Sequence, residues 1–158
     1  MILDAQNLFS DEQTMAGTIT PAASTNVIDL GSERYLGTGE PLDIVLQVVE
    51  ALSDAGSNST IAVTIQTDTD EAFGSPTVYA TVPGYTNLLT FGPATPVDGT
   101  AALPSKVIFR LVPDRPIERY MRLVYTIAGG DLSTGKITAG FVKDAPAFRA
   151  YNDAVTIS

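Results

Sequence analysis

The chain has 158 residues, among them no Cys, no His and no Trp, and its nine basic against eighteen acidic side chains give a net charge of −9. That charge opposes a nucleic-acid or anionic-membrane partner, and the missing His and Cys exclude a Ser-His-Asp triad, a thiolate nucleophile, a disulfide and Cys-ligated zinc. The length fits one domain able to bury roughly 70% of the surface its unfolded chain exposes, while 17% charged residues is low against a typical ~25%. Either a partner-covered surface or a β surface carried by Thr and Ser accounts for that.

Residues 1–24 mix apolar Ile2, Leu3, Leu8 and Phe9 with the polar SDEQ and PAAS, and are expected to form an N-terminal arm. With an acid at position 4 and no basic residue in MILDAQNLFSDEQ, neither a signal peptide nor a membrane span is expected. Thr25 to Leu30 is the first predicted strand. GTGEP at 37 to 41 has closely spaced glycines but lacks the Lys-Ser/Thr ending of a phosphate loop, and reads as a turn. Leu42 to Leu52 then places Leu42, Ile44, Leu46 and Val48 on one face and Asp43, Val45, Gln47 and Val49 on the other, a strand covered fully on one side and partly on the second. Thr60 to Asp68 alternates more cleanly, with Ile61, Val63 and Ile65 inward against Thr60, Thr64 and Gln66.

Shorter alternations follow at Thr77 to Val82, Leu88 to Phe91 and Lys106 to Leu111, where Val107, Phe109 and Leu111 share a face. Tyr120 to Ile127 sets Met121, Leu123, Tyr125 and Ile127 against Tyr120, Arg122 and Thr126, and Lys136 to Val142 sets Ile137, Ala139 and Phe141 inward. Turn formers separate these runs: SDAGSNS, FGSP, PVDG, VPDRP and AGGDLSTG. About eight strands without βαβ alternation predict an all-β fold, a two-sheet sandwich or barrel. The absent core Trp and paired Cys favour a jelly-roll-type sandwich over an immunoglobulin domain. The chain is therefore expected to be one domain, 1–158, with an arm at 1–24, a sandwich at 25–142 and a C-terminal tail at 143–158. Phe9, Phe148, Tyr151, Val155 and Ile157 in the two arms need cover, either on the chain's own sandwich or on a neighbour.

Chemistry is sparse. Lys106, Lys136 and Lys143 stand in no Ser-x-x-Lys spacing. Asp68, Asp70, Glu71, Asp98, Asp114, Glu118 and Asp131 lie in predicted turns and strand ends, where Asp bonds its own backbone. A glycosidase would need two of them facing each other across a cleft. Asp68, Asp70 and Glu71 could also gather a hard cation, though without the glycine and final acid of an EF-hand. Asn58-Ser59-Thr60 matches a glycosylation acceptor that carries no weight without secretion. Arg110, Arg115, Arg119 and Arg122 cluster in sequence and could pair acids within the chain or between copies around an axis. No catalytic, cofactor or metal set is expected.

Four segments, AASTNVIDLG at 22 to 31, GEPL at 39 to 42, TDTDEAFGSPT at 67 to 77 and IERYMRLVYTI at 117 to 127, together resemble the capsid cement (decoration) proteins of tailed bacteriophages. LDAQNLFSDEQ at 3 to 13 is similar to that family's opening, and the match covers most of residues 3 to 142; residues 77 to 105 and those after Val142 depart from it. The resemblance implies a jelly roll that forms a homotrimer on the capsid exterior, bridges neighbouring major capsid proteins and stiffens the head without touching DNA, after synthesis in the host cytoplasm. Phe9, Arg115, Arg119, Phe148 and Tyr151 are then the expected partner contacts. Two other functions fit the same residues: a virion component of tail or fibre, and a carbohydrate-binding sandwich using Tyr79, Tyr85 and Tyr151.

Overall fold

The computed structural model describes residues 5–17, 21–35, 42–53, 60–81, 106–111 and 115–142. The predicted strand at 88–91 and the tail at 143–158, with Phe148 and Tyr151, lie outside them, as do Tyr85, Asp98 and Asp114. A 3-10 turn, Ala5–Asn7, leads into nine strands: β1 (Leu8–Thr14), β2 (Ala22–Ala23), β3 (Ile28–Asp29), β4 (Leu42–Ser53), β5 (Thr60–Asp68), β6 (Thr77–Thr81), β7 (Lys106–Leu111), β8 (Tyr120–Ala128) and β9 (Thr134–Val142). They form two antiparallel sheets, one in the order β1-β9-β4-β7, the other β2-β8-β5-β6 with β3 also on β8. The protein is an all-β sandwich. β4 pairs with β9 in the first sheet and β5 with β8 in the second, so a two-stranded ribbon rolls from one sheet onto the other, the path expected of a jelly-roll-type sandwich.

Alternation dictates what lies between the sheets. Ile44, Leu46 and Val48 of β4 and Ile137 and Ala139 of β9 meet Ile61, Val63 and Ile65 of β5 and Met121, Leu123, Tyr125 and Ile127 of β8, all buried in one cluster. Each such side chain stabilises the fold by roughly 1.5–3 kcal/mol relative to an exposed position. The second face of β4 is partly covered as its sequence predicts: Val45 packs with Val142, and Asp43 is buried. Four buried residues outside the alternating runs, Phe9, Met15, Ile117 and Leu132, also belong to the cluster.

Two departures from the sequence reading have physical causes. Residues 8–14, expected in an arm outside the sandwich and covered by it or by a neighbour, form β1 of the first sheet and contribute fully buried Phe9 and Ser10 to the interior. The register steps from Leu8 opposite Gly140 to Ser10 opposite Ala139, and then to Gln13 opposite Ile137. Each step inserts an extra residue, a bulge that breaks period two and buries three neighbours in a row, Leu8, Phe9 and Ser10. Thr25 to Leu30 is likewise not one strand. Between Ala23 opposite Val124 and Ile28 opposite Met121, the chain swings across to the first sheet, where Asn26 N donates to Phe9 O (2.9 Å) and Thr25 N to Gln13 Oε1 (3.0 Å). A buried relay joins the same two sheets. Ser10 Oγ donates to Gln13 Oε1 (2.7 Å), which leaves Tyr125 Oη to donate to Ser10 Oγ (2.8 Å), while Gln13 Nε2 donates to Ala23 O (2.8 Å).

Candidate protein-interaction surface

The acids between β5 and β6 build a turn. Asp68 Oδ1 accepts from Asp70 N (3.0 Å) and its Oδ2 from Ser75 N (3.0 Å), and these donors hold the carboxyl below its usual range. Asp70 Oδ1 accepts from Ala72 N (3.0 Å) and its carbonyl from Phe73 N (3.0 Å). Phe73, at a φ of 52°, is thereby folded into a buried position with the Arg122 guanidinium 4.0 Å from its ring centroid. Glu118 accepts from Thr67 Oγ1 (2.6 Å). Among the described residues no three acids, His or Cys approach closely enough to hold a metal ion.

The four clustered arginines separate by what they hold. Arg110 lies opposite Asp43 across the β4–β7 ladder and donates to it from Nε (3.0 Å) and Nη2 (3.4 Å). Arg119 forks onto Asp29 (2.8 and 2.9 Å) and covers the Tyr120 ring. That fork first, and then the Gly31 backbone N–H, hold the Asp29 carboxyl down at about 2. Arg122 donates from two nitrogens to Gln66 Oε1 (3.0 and 2.8 Å), its register partner on β5. Arg115 donates only to carbonyls, Val78 O (3.1 Å) and Tyr79 O (2.7 Å), with its guanidinium carbon 4.7 Å from the Tyr79 ring centroid.

The expected contact residues therefore divide. Phe9 is a correction: it is fully buried with its ring 5.0 Å from that of Phe141, so it serves the core and presents no surface to a partner. Arg119 is exposed but engaged by Asp29. Arg115 is exposed and has no acid in reach among the described residues. Tyr79, one of three aromatics considered as a sugar platform, is buried beneath Arg115 and donates its hydroxyl to Arg115 O (3.0 Å). Sequence reasoning missed Arg34, Tyr35 and Val78. Arg34 exchanges backbone hydrogen bonds with Ile117 (2.9 and 2.8 Å), which sets it and Tyr35 beside the segment that carries Arg115. Tyr35 and Val78 are 56% and 51% exposed, above every other large hydrophobic side chain among the described residues. The 28–35 and 115–119 segments thus run side by side, and Arg115 reaches from the second of them to Val78 and Tyr79 of β6.

No curated protein matches the chain. A family model, Bbp16, matches residues 9–141, a span that runs from β1 to β9 and takes in both sheets and the arginine surface. The chain belongs to the Bbp16 family.

Proposed function

We propose that this protein is a capsid cement, or decoration, protein of a tailed bacteriophage, which forms a homotrimer on the outside of the shell and bridges neighbouring major capsid proteins. The observation that carries the reading is where the family-like segments fall. Residues 22–31 hold β2 and β3, 67–77 hold the end of β5 and its turn into β6, and 117–127 hold most of β8. Remote in sequence, 22–31 and 67–77 both pair with 117–127 in the second sheet, joined to it by Arg119 to Asp29 and by Thr67 to Glu118. These three make one contiguous unit, while the similar opening at 3–13 lies in β1 of the first sheet and 39–41 lie outside the described residues.

In this reading the protein works by adhesion and not by making or breaking covalent bonds. The net charge of −9 keeps it from competing for packaged DNA. Three modest footholds per trimer act together through effective concentration, so that attachment is firm although each contact is weak. Imaging purified particles at a resolution sufficient to trace this chain is the test. The expected result is three-fold clusters on the outer shell, each touching two or more capsid subunits; location on tail or fibre, or absence from the particle, overturns the proposal.

A further inference from the structure

Residues 115–119 lead into β8 outside any ladder, with Ile117 and Arg34 paired as an isolated bridge, yet they are tied to strands on both sides of β8. Arg115 donates from Nη2 to Val78 O and Tyr79 O of β6, and its own carbonyl accepts from Tyr79 Oη. Ile117 is wholly buried and exchanges backbone hydrogen bonds with Arg34. Glu118 accepts from Thr67 Oγ1 at the end of β5. Arg119 forks onto Asp29 of β3, and its carbonyl accepts from Leu30 N (2.8 Å). Because β3 flanks β8 on one side and β5 and β6 lie on the other, one short stretch holds one end of the second sheet together.

We infer that 115–119 is a latch, a segment that opens and closes as one unit while both sheets stay folded, with Arg115 as its catch on β6. The β5–β8 ladder runs through nine successive residue pairs without a register step, whereas the latch is held by one bridge and by side chains that are exposed at Arg115 and Arg119 and half-buried at Glu118. A segment so held opens at lower cost than the ladder beside it. Its ties are coupled through Ile117. That side chain sits in the core between the two arginines, so drawing it out carries Arg115 away from β6 and Arg119 away from β3 in one movement. Opening therefore uncovers the Tyr79 ring, on which the Arg115 guanidinium rests at 4.7 Å, and frees the carbonyls of Val78 and Tyr79. These belong to β6, the outermost strand of its sheet among the described residues, so the closed latch caps an edge that the open latch leaves bare.

The test is native-state hydrogen exchange of the full chain, followed by NMR in a series of low urea concentrations. In wild type the amides of Leu30, Arg34 and Ile117 are expected to share one opening equilibrium with one urea dependence, and to exchange at least about tenfold faster than the slowest amides of the β5–β8 ladder. Arg115→Met removes the catch at one end. It is expected to speed exchange of Leu30, at the other end, by the same factor as Arg34 and Ile117, about tenfold for the charged hydrogen bonds lost, and to leave the ladder amides unchanged. Arg119→Met is the reciprocal variant and is expected to raise the rate at which tetranitromethane nitrates Tyr79 by the factor it imposes on Ile117. Three amides that exchange only together with the ladder, three that open independently of one another, or a variant whose effect stays at its own end each overturn the latch. The wild-type measurement decides the first two without any substitution, so the inference is tested even if a variant does not fold.

Discussion

Asp29 and Arg119 meet in a two-bond fork at the surface, and their pairing has a consequence in acid. The fork and the Gly31 N–H take the Asp29 carboxyl from its ordinary 3.8 down to about 2. Between those values the unfolded chain binds a proton that the folded chain refuses, so stability rises with pH across that window. The contribution is complete above the unfolded pKa and is lost as pH falls towards 2. Asp29→Asn should therefore lower the urea midpoint at neutral pH and flatten its acid decline, as a midpoint series from pH 2 to 6 would show. Gly135 makes a second residue-scale prediction. At a φ of 136°, an added Cβ would strike Leu52 Cδ2 and lie 3.1 Å from Leu52 Cα, which a side-chain rotation cannot relieve. Gly135→Ala should cost ~1–3 kcal/mol in a denaturant melt. The turn roles of Asp68 and Asp70 were legible, because an Asp that bonds the backbone two residues on is a local event. The backbone pairing of Arg34 with Ile117 was not, since it depends on which segments the fold brings alongside.

At the scale of elements, β4, β5, β8 and β9 could be read almost residue by residue, because each sets apolar residues at every second position over most of its length. β1 could not. LFSDEQT carries two bulges, and a bulge erases the period by which a strand is recognised. β2 and β3 escaped for a related reason: the residues between them bond to β1 rather than to β8, and no local pattern encodes a partner some fifteen residues upstream. The structural weight of β1 is measurable. Phe9 is fully buried against Phe141, and Phe9→Ala should destabilise the fold by ~3–5 kcal/mol. An arm whose Phe9 was covered by a neighbouring chain would lose nothing measurable from the same change in the isolated protein, so an equilibrium urea titration separates the two descriptions.

For the whole molecule, the two-sheet architecture followed from many short strands separated by turn formers, whereas strand order and the rolled ribbon are long-range facts that periodicity does not contain. The acidic balance was legible from composition; that Arg110 and Arg119 hold acids while Arg115 has none in reach among the described residues became visible only in three dimensions. One feature of β1 reaches beyond a single protomer. A regular outermost strand would hand its spare N–H and C=O groups to any identical strand nearby, a hazard that grows with local crowding. The insertion at Asp11–Glu12, opposite the single residue Thr138, interrupts that template and places two negative charges on it. Deleting Glu12 removes this one of the two register steps between β1 and β9 and leaves Ser10 to Thr14 paired one to one, and the resulting protein should nucleate thioflavin-positive fibrils at concentrations where wild type stays clear. The irregularity that hides this strand in the sequence thereby also guards its open side against pairing with a like strand.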